Sequence, residues 1–334
     1  MSNPSAVLYA PHDLRVEDRP IPEPDPREVL VHVRAIGICG SDVHYYEHGR
    51  IGKYVVEQPM VIGHESAGTI VAVGSEVDPS RIGELVALEP GVPCRHCEQC
   101  LAGRYNLCPD VVFFATPPVD GSIASYVTID EHFAHPAPEG LSFEQAAMAE
   151  PVSVGVWAAR KAHISAGDRV LVTGAGPIGL YAAQVARAFG ASHVTITDVS
   201  DYRLDTARAL GFQAQRADAP IHAEYDVLLE CSGAGPALTG GMKHLAPAAR
   251  VVLIGMGADT VSIDVPLVQG KEISISGIFR YANTYPTALE LIATGAVDAA
   301  AIITHRFDID HTEDALTIGR LDPHSLKAVV LPPA

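Results

Sequence analysis

Basic residues are scarce in this sequence. Its 334 residues hold 23 lysines and arginines against 40 aspartates and glutamates, a net charge of −17 with histidine neutral. Nucleic-acid backbones are gripped by basic faces, so this balance excludes a general DNA- or RNA-binding role. Cysteine is sparse as well: six residues are too few for a disulfide-stapled secreted scaffold, and four of them fall between Cys94 and Cys108. Long hydrophobic runs are missing. The most apolar stretch, Val170 to Ala186, is short for a membrane span and is broken by glycines and Pro177. The early charges Asp13, Arg15, Glu17 and Asp18 do not fit a secretory leader. A cytoplasmic protein with no nucleic-acid or membrane partner is expected, in which clustered cysteines bind metal.

Apolar residues make up 48% of the chain and charged ones 19%, which suits a large folded core and excludes disorder. At roughly 150 residues per domain, two domains are expected. Up to about residue 150 the chain reads as β-rich, with short runs such as Val29–Val33 and Thr69–Val73 bounded by Pro, Gly, Asp and Glu turns. From Pro151 strands and helices alternate: helix Val152–Ala162, strand Asp168–Thr173, helix Ile178–Phe189, strand His193–Thr197 and helix Asp201–Leu210. Strand Asp226–Leu229, helix Pro236–Leu245 and strand Arg250–Ile254 continue the series. This is the pattern of an α/β, doubly wound parallel sheet.

The strand R-V-L-V-T (169–173) runs into G-A-G-P-I-G, residues Gly174, Ala175, Gly176, Pro177, Ile178 and Gly179, and then into an Ala-rich helix. A G-x-G-x-x-G turn between strand and helix is a dinucleotide fingerprint. Gly174 permits the tight turn, Gly176 lets the backbone approach a pyrophosphate, and Gly179 lets helix and strand pack closely. The helix N-terminus offers unpaired N–H groups to the phosphates, so an acidic protein can bind an anionic cofactor. Asp198 closes the second strand about 20 residues on, where a carboxylate accepts ribose hydroxyls and repels a 2′-phosphate. NAD rather than NADP is expected. Arg203, one turn into the next helix, is either a solvated or adenine-side residue or a group within reach of a 2′-phosphate. The loops Cys231-Ser232-Gly233 and Gly255-Met256-Gly257 follow later strands, and their carboxyl-end position makes them further cofactor candidates. Cys231 itself reads as a loop or packing residue.

Two constellations have metal-ligand chemistry. Cys94-x-x-Cys97-x-x-Cys100-x₇-Cys108 can wrap one tetrahedral zinc with four thiolates, which closes the coordination sphere and makes the site structural. Cys39 in G-I-C-G-S-D-V-H-Y and His64-Glu65 in G-H-E-S-A-G offer thiolate, imidazole and carboxylate. Three such ligands leave a position open for substrate, as catalytic zinc requires. Spacing alone also permits a structural reading of Cys39 and the His-Glu pair.

G-H-E-S-A-G, the following V-x-x-V-G, the four-cysteine loop and G-A-G-P-I-G, in this order, resemble the zinc-dependent medium-chain dehydrogenases over nearly the whole chain. More narrowly, C-G-S-D-V-H-Y-Y-E-H-G-R-I-G (39–52), E-P-V-S-V-G-V (150–156) and F-R-Y (279–281) are similar to the polyol branch, the sorbitol and xylitol dehydrogenases. The resemblance implies a GroES-like β-rich catalytic domain over 1–150 with a return at 281–334, and a Rossmann NAD-binding domain over 151–280. It implies two zinc ions per chain, with Cys39, His64 and Glu65 on the catalytic one and Glu150 beside it. Zinc, the Cys39 thiolate, neutral His64 and the Glu65 carboxylate sum to zero charge, so a permanently bound Glu150 would make the site anionic. Glu150 is therefore expected to act through a water or as an exchangeable fourth ligand.

The reaction that the resemblance implies is reversible NAD-dependent oxidation of a polyol secondary hydroxyl to a ketose, on sorbitol, xylitol or L-iditol. Ser41 and His44 are implied as the proton relay. Tyr45, Arg280 and Tyr281 match substrate-contacting positions, and Phe279 and Arg280 border the cofactor. A homo-oligomer, tetramer or dimer, is also implied. The alternatives are another zinc secondary-alcohol dehydrogenase of threonine or butanediol type, or a non-catalytic, zinc-stabilised NAD-binding protein.

Overall fold

The computed structural model describes residues 2–257 and 260–333. The chain divides into two compact units, one of Met1–Glu150 with Ala299–Ala334 and one of Pro151–Asp298. Residues 281–298, expected in the return to the first domain, lie in the second unit. Among the described residues, no helix is long and apolar enough to cross a membrane.

The first unit is built on a mostly antiparallel seven-stranded sheet. Its central strand, Glu28–Gly37, pairs on one side with Glu65–Val73 and on the other with Lys327–Leu331, while Tyr126–Asp130 pairs with its first half. The alternation of E-V-L-V-H-V-R explains this strand: Val29, Val31 and Val33 turn inward and are fully buried. The register sets Gly37 opposite Glu65 on one neighbour and opposite Val329 on the other. Strand Ile303–Asp308 extends the sheet beside Lys327–Leu331. A three-stranded sheet of Pro4–Ala10, Asp13–Asp18 and Met60–Val61 and two two-stranded sheets, Gly91–Val92 with Val112–Phe113 and Arg50–Ile51 with Tyr54–Val55, complete the described part of the β-rich unit. Its core gathers Ile36, Ile62, Ile70, Leu88, Ile123 and Val330.

The second unit is a six-stranded sheet in which every neighbouring pair is parallel. The spatial order is Gln213–Arg216, His193–Asp198, Arg169–Thr173, Tyr225–Glu230, Leu245–Leu253, Ser274–Gly277. The order reverses between Arg169–Thr173 and Tyr225–Glu230, which is the switch point where such sheets bind ligands. Helices Pro177–Ala188, Asp201–Ala209, Gly235–Met242 and Val265–Gly270 form the crossovers. Pro177 stands at the first helical position and the Ser200 hydroxyl caps its helix, so the local sequence specifies both starts.

Three elements depart from the sequence-level pattern. Gln213–Arg216 and Ser274–Gly277 are strands that the hydrophobic pattern does not reveal, because both are short edges with no fully buried residue. The helix expected to reach Leu245 ends at Met242, and Leu245 begins a strand that continues to Leu253.

The close approach of the central strands rests on Gly68, where a Cβ would stand 2.1 Å from the His32 carbonyl oxygen. Gly68→Ala is expected to cost about 1–3 kcal/mol through overpacking. A melting curve of the purified protein checks this, and an unchanged midpoint would show that the sheet yields there.

Candidate active site and metal centres

The chain ends of two adjacent segments create the first centre. Cys39 caps the helix Gly40–His48, just after the central strand, and Glu65 opens the strand beside it, with His64 immediately before. The ligand atoms of Cys39, His64 and Glu65 all lie within 4.8 Å of one another. His64 is 7% exposed and Glu65 fully buried. A soft thiolate, an imidazole and a carboxylate converging from two turns fit a zinc ion with one open position.

Two residues outside the ligand set, Asp42 and Lys327, hold this triad. Asp42, fully buried, accepts the Cys39 N–H at 2.9 Å and the Gly63 N–H at 3.1 Å, and faces His64 Nδ1 at 3.5 Å. One carboxylate thus joins both ligand-bearing turns and orients the imidazole, a common arrangement around metal-binding histidines. Burial by itself would lower the His64 pKa, but the Asp42 carboxylate and then Cys39 hold it well above its usual range. The motif C-x-x-D just before a helix is a capping signal, and that was the available clue.

Lys327, 3% exposed, is the second. Its ammonium donates to Glu65 Oε1 at 2.7 Å, to Oε2 at 2.6 Å and to the Ile38 carbonyl at 2.9 Å. Burial opposes the charge of Lys327, and the Glu65 carboxylate outweighs it, with Cys39 and Glu150 contributing, so its pKa is raised. Gly37 leaves the space for this pair: a Cβ there would stand 2.1 Å from Glu65 Oε2. Nothing local in the sequence points to Lys327, which lies 262 residues from its partner.

Glu150 is buried at 6% exposure near the start of helix Ala149–Lys161, outside the three-ligand cluster. Lys327 alters the charge count made from sequence. Its ammonium lies against Glu65, with Glu150 a lesser electrostatic contributor, so a buried positive charge stands beside the proposed ligands. Ser41 is half-buried and His44 exposed, with its ring 4.6 Å from that of His48. Tyr45, 4% exposed, belongs to the core of the first unit. Arg280 and Tyr281 lie in the second unit. Arg280 adopts a left-handed backbone, φ 54°, and its guanidinium covers the Phe279 ring at 4.9 Å, while Tyr281 is buried at 3% exposure. A non-glycine residue held in that region stores strain, which is commonest at functional positions.

The second centre is the loop of Cys94, Cys97, Cys100 and Cys108, whose sulfurs form a compact group. Cys97 and Cys100 sulfurs stand 3.4 Å apart and those of Cys94 and Cys100 3.9 Å. Tetrahedral zinc with thiolates spaces them about 3.8 Å apart. Backbone N–H groups of Cys97 and Cys100 point at the sulfurs of Cys94 and Cys97. The Cys94 thiol is drawn down to about 6, chiefly by the His96 N–H, while burial pushes Cys100 up to about 12. The loop is moored through Tyr105, whose hydroxyl donates to buried Glu89 at 2.5 Å, and Glu89 also meets His135 at 2.8 Å.

The glycine-rich turn has the shape expected of it. Gly174 is left-handed at φ 93°, Gly176 caps the helix Pro177–Ala188, and a Cβ on Gly179 would stand 1.8 Å from the Gly174 carbonyl. Asp198, 7% exposed, accepts N–H groups from Ala175 at 2.6 Å and Ser200 at 2.8 Å. A guanidinium nitrogen of Arg203 lies 4.0 Å from the position of a Cβ on Gly176. Cys231 and Gly255 are half-buried, Met256 and Gly257 exposed, and Phe279 is 49% exposed.

Comparison with known proteins agrees with this chemistry. Residues 25–139 match the alcohol dehydrogenase GroES-like domain and residues 177–294 the zinc-binding dehydrogenase domain. The chain is 41% identical to the sorbitol dehydrogenase of Bacillus subtilis over 93% of its own length and 92% of that protein's. It is 39% identical to human sorbitol dehydrogenase over 94% and 92% of the respective lengths. A short chain alcohol dehydrogenase from E. coli CFT073, solved with NADH, superposes with TM-score 0.92 at 31% identity over 99% of each chain. The chain belongs to the zinc-dependent medium-chain dehydrogenases, within their polyol branch. It is a zinc-dependent alcohol or polyol dehydrogenase.

Two substitutions test the supports of the first centre. Asp42→Asn is expected to weaken zinc retention about 10–100-fold, measured by competition with a chelator. Lys327→Met should destabilise the zinc-free protein by about 3–5 kcal/mol, because it strands a buried carboxylate. Zinc should restore part of that loss in a denaturant titration; equal losses with and without metal would dissociate Lys327 from the centre.

Proposed function

We propose that this protein catalyses reversible, NAD-dependent oxidation of a polyol secondary hydroxyl to a ketose, with sorbitol, xylitol and L-iditol as the substrate class. The observation that carries the reading is the convergence of Cys39, His64 and Glu65 in a chain whose sorbitol dehydrogenase relatives are about two-fifths identical. When bound, zinc supplies Lewis acidity to a hydroxyl oxygen and the nicotinamide accepts hydride.

The chain's own residues do the rest. Cys39, His64 and Glu65 hold the metal, with Asp42 and Lys327 fixing their orientation. Glu150 is the exchangeable or water-mediated fourth group. Cys94, Cys97, Cys100 and Cys108 hold a second, structural zinc that clips their loop. Gly174, Gly176, Pro177, Ile178 and Gly179 receive the pyrophosphate, and the loops at Cys231 and at Gly255, Met256 and Gly257 border the cofactor, as Phe279 does. Asp198 takes the adenosine ribose, its charge disfavouring a 2′-phosphate, which supports NAD. Arg203 stands close enough to the glycine turn to meet the adenosine end.

A polyol offers several hydroxyls, and Tyr45, Arg280 and Tyr281 are the proposed recognition groups. Arg280 brings a rigid fork of donors that suits hydroxyl oxygens. Ser41 and exposed His44 carry the released proton to solvent. For assembly we infer a homo-oligomer, dimer or tetramer. The edge strand Ser274–Gly277, with Ile275 37% exposed, supports pairing between copies. A cytoplasmic location is the matching expectation.

Incubation with NAD and a panel of polyols should yield NADH, with about two zinc ions per chain by elemental analysis. Turnover of simple alcohols or threonine without polyol turnover would reject the substrate class. Arg280→Ala should depress polyol kcat/KM at least about tenfold and leave NAD affinity nearly intact. Unchanged polyol kinetics would remove Arg280 from the site.

A further inference from the structure

The buried carboxylate of Glu230 has no part in the chemistry above. Glu230 ends the strand Tyr225–Glu230 and is in register with Thr173, so it stands at the switch point of the parallel sheet. It is 3% exposed. Its oxygens accept the Ser232 N–H at 2.9 Å, the Ser232 hydroxyl at 2.5 Å and the Gly233 N–H at 3.1 and 3.2 Å. The Thr173 hydroxyl lies 3.4 Å away. All these donors are neutral. Among the described residues, no lysine, arginine or histidine forms an ion pair with it.

Three loops meet on this residue. The backbone carbonyl of Glu230 accepts the N–H groups of Ile254 and Gly255, both at 2.9 Å. A Cβ on Gly174 would stand 3.0 Å from Ser232 Cα, and one on Gly257 1.7 Å from the Gly233 carbonyl. The loops after three strands therefore pack backbone on backbone, with an uncompensated negative charge beneath them. That charge is felt locally: packing pushes the Cys231 thiol up, and Glu230 adds to the shift.

NAD and NADH are alike except at the nicotinamide, which is a cation when oxidised and neutral when reduced. A fixed negative charge in a poorly solvated crevice attracts the cation and gives nothing to the neutral ring. We infer that Glu230 is a positioning residue that holds the 231–233 loop in place and whose charge biases the crevice toward the oxidised cofactor. The inference rests on the reading of this crevice as the nicotinamide-cofactor site. A purely structural carboxylate would affect both redox forms equally.

The test compares dissociation constants of NAD and NADH, by calorimetry and nucleotide fluorescence, on the zinc-loaded protein. Glu230→Gln should weaken NAD more than NADH, shifting the ratio of the constants by about three- to tenfold. Glu230→Asp, which keeps the charge, should leave the ratio within about twofold even where both affinities fall. Ser232→Lys sets a cation beside the carboxylate from an exposed position, and should shift the ratio in the same direction as Glu230→Gln. It serves as the deciding variant if Glu230→Gln does not fold. An unchanged ratio in the folded charge-altering variants overturns the charge assignment. If the wild-type protein binds neither nucleotide, the crevice reading falls, and this inference with it.

Discussion

The buried pair of Glu65 and Lys327 ties the first unit to one geometry. Each charge offsets the desolvation cost of the other, and the strands that carry them flank the same central strand. Gly37 lies between them because any side chain there would displace the carboxylate. The first 65 residues supply all three proposed ligands of the open metal centre, yet the cation that balances them comes from the last strand. The end of the chain is thus part of the site.

Buried carboxylates do similar work elsewhere. Asp42 joins the turns at Cys39 and Gly63, Asp198 joins Ala175 to Ser200, and Glu230 gathers Ser232 and Gly233. In each case an anion collects two backbone N–H donors, from separate segments at Asp42 and Asp198 and from one turn at Glu230, and a charged acceptor makes these bonds stronger than neutral ones. Rigid turns matter to a dehydrogenase, since reacting atoms must be held in near-contact geometry. Part of the strongly acidic composition therefore organises turns from within.

Much of the fold was legible from residue pattern. The alternating strands and helices after Pro151 follow from hydrophobic period, and the glycine turn follows from the steric demands of a strand that runs into a helix. The edge strands Gln213–Arg216 and Ser274–Gly277 were not, because an edge carries neither full burial nor a clear alternation. The four-cysteine loop was legible because its ligands are close in sequence. Cys39 and the His64-Glu65 pair were ambiguous by spacing and acquired meaning through family resemblance. Lys327 left no local trace, because its partner Glu65 lies 262 residues away along the chain.

Sequence by itself determined what is set within a few residues: the thiolate cluster, the helix caps, the glycine turn and the alternation that makes each strand two-faced. Those features depend on local backbone geometry and on side chains only a turn or two apart. Tertiary structure alone decided which distant charges meet. The pairing of Lys327 with Glu65 and the placement of Glu230 beneath three loops come from strand order and register. Electrostatic energy in a buried site depends on distance and solvation, and neither can be read along a chain.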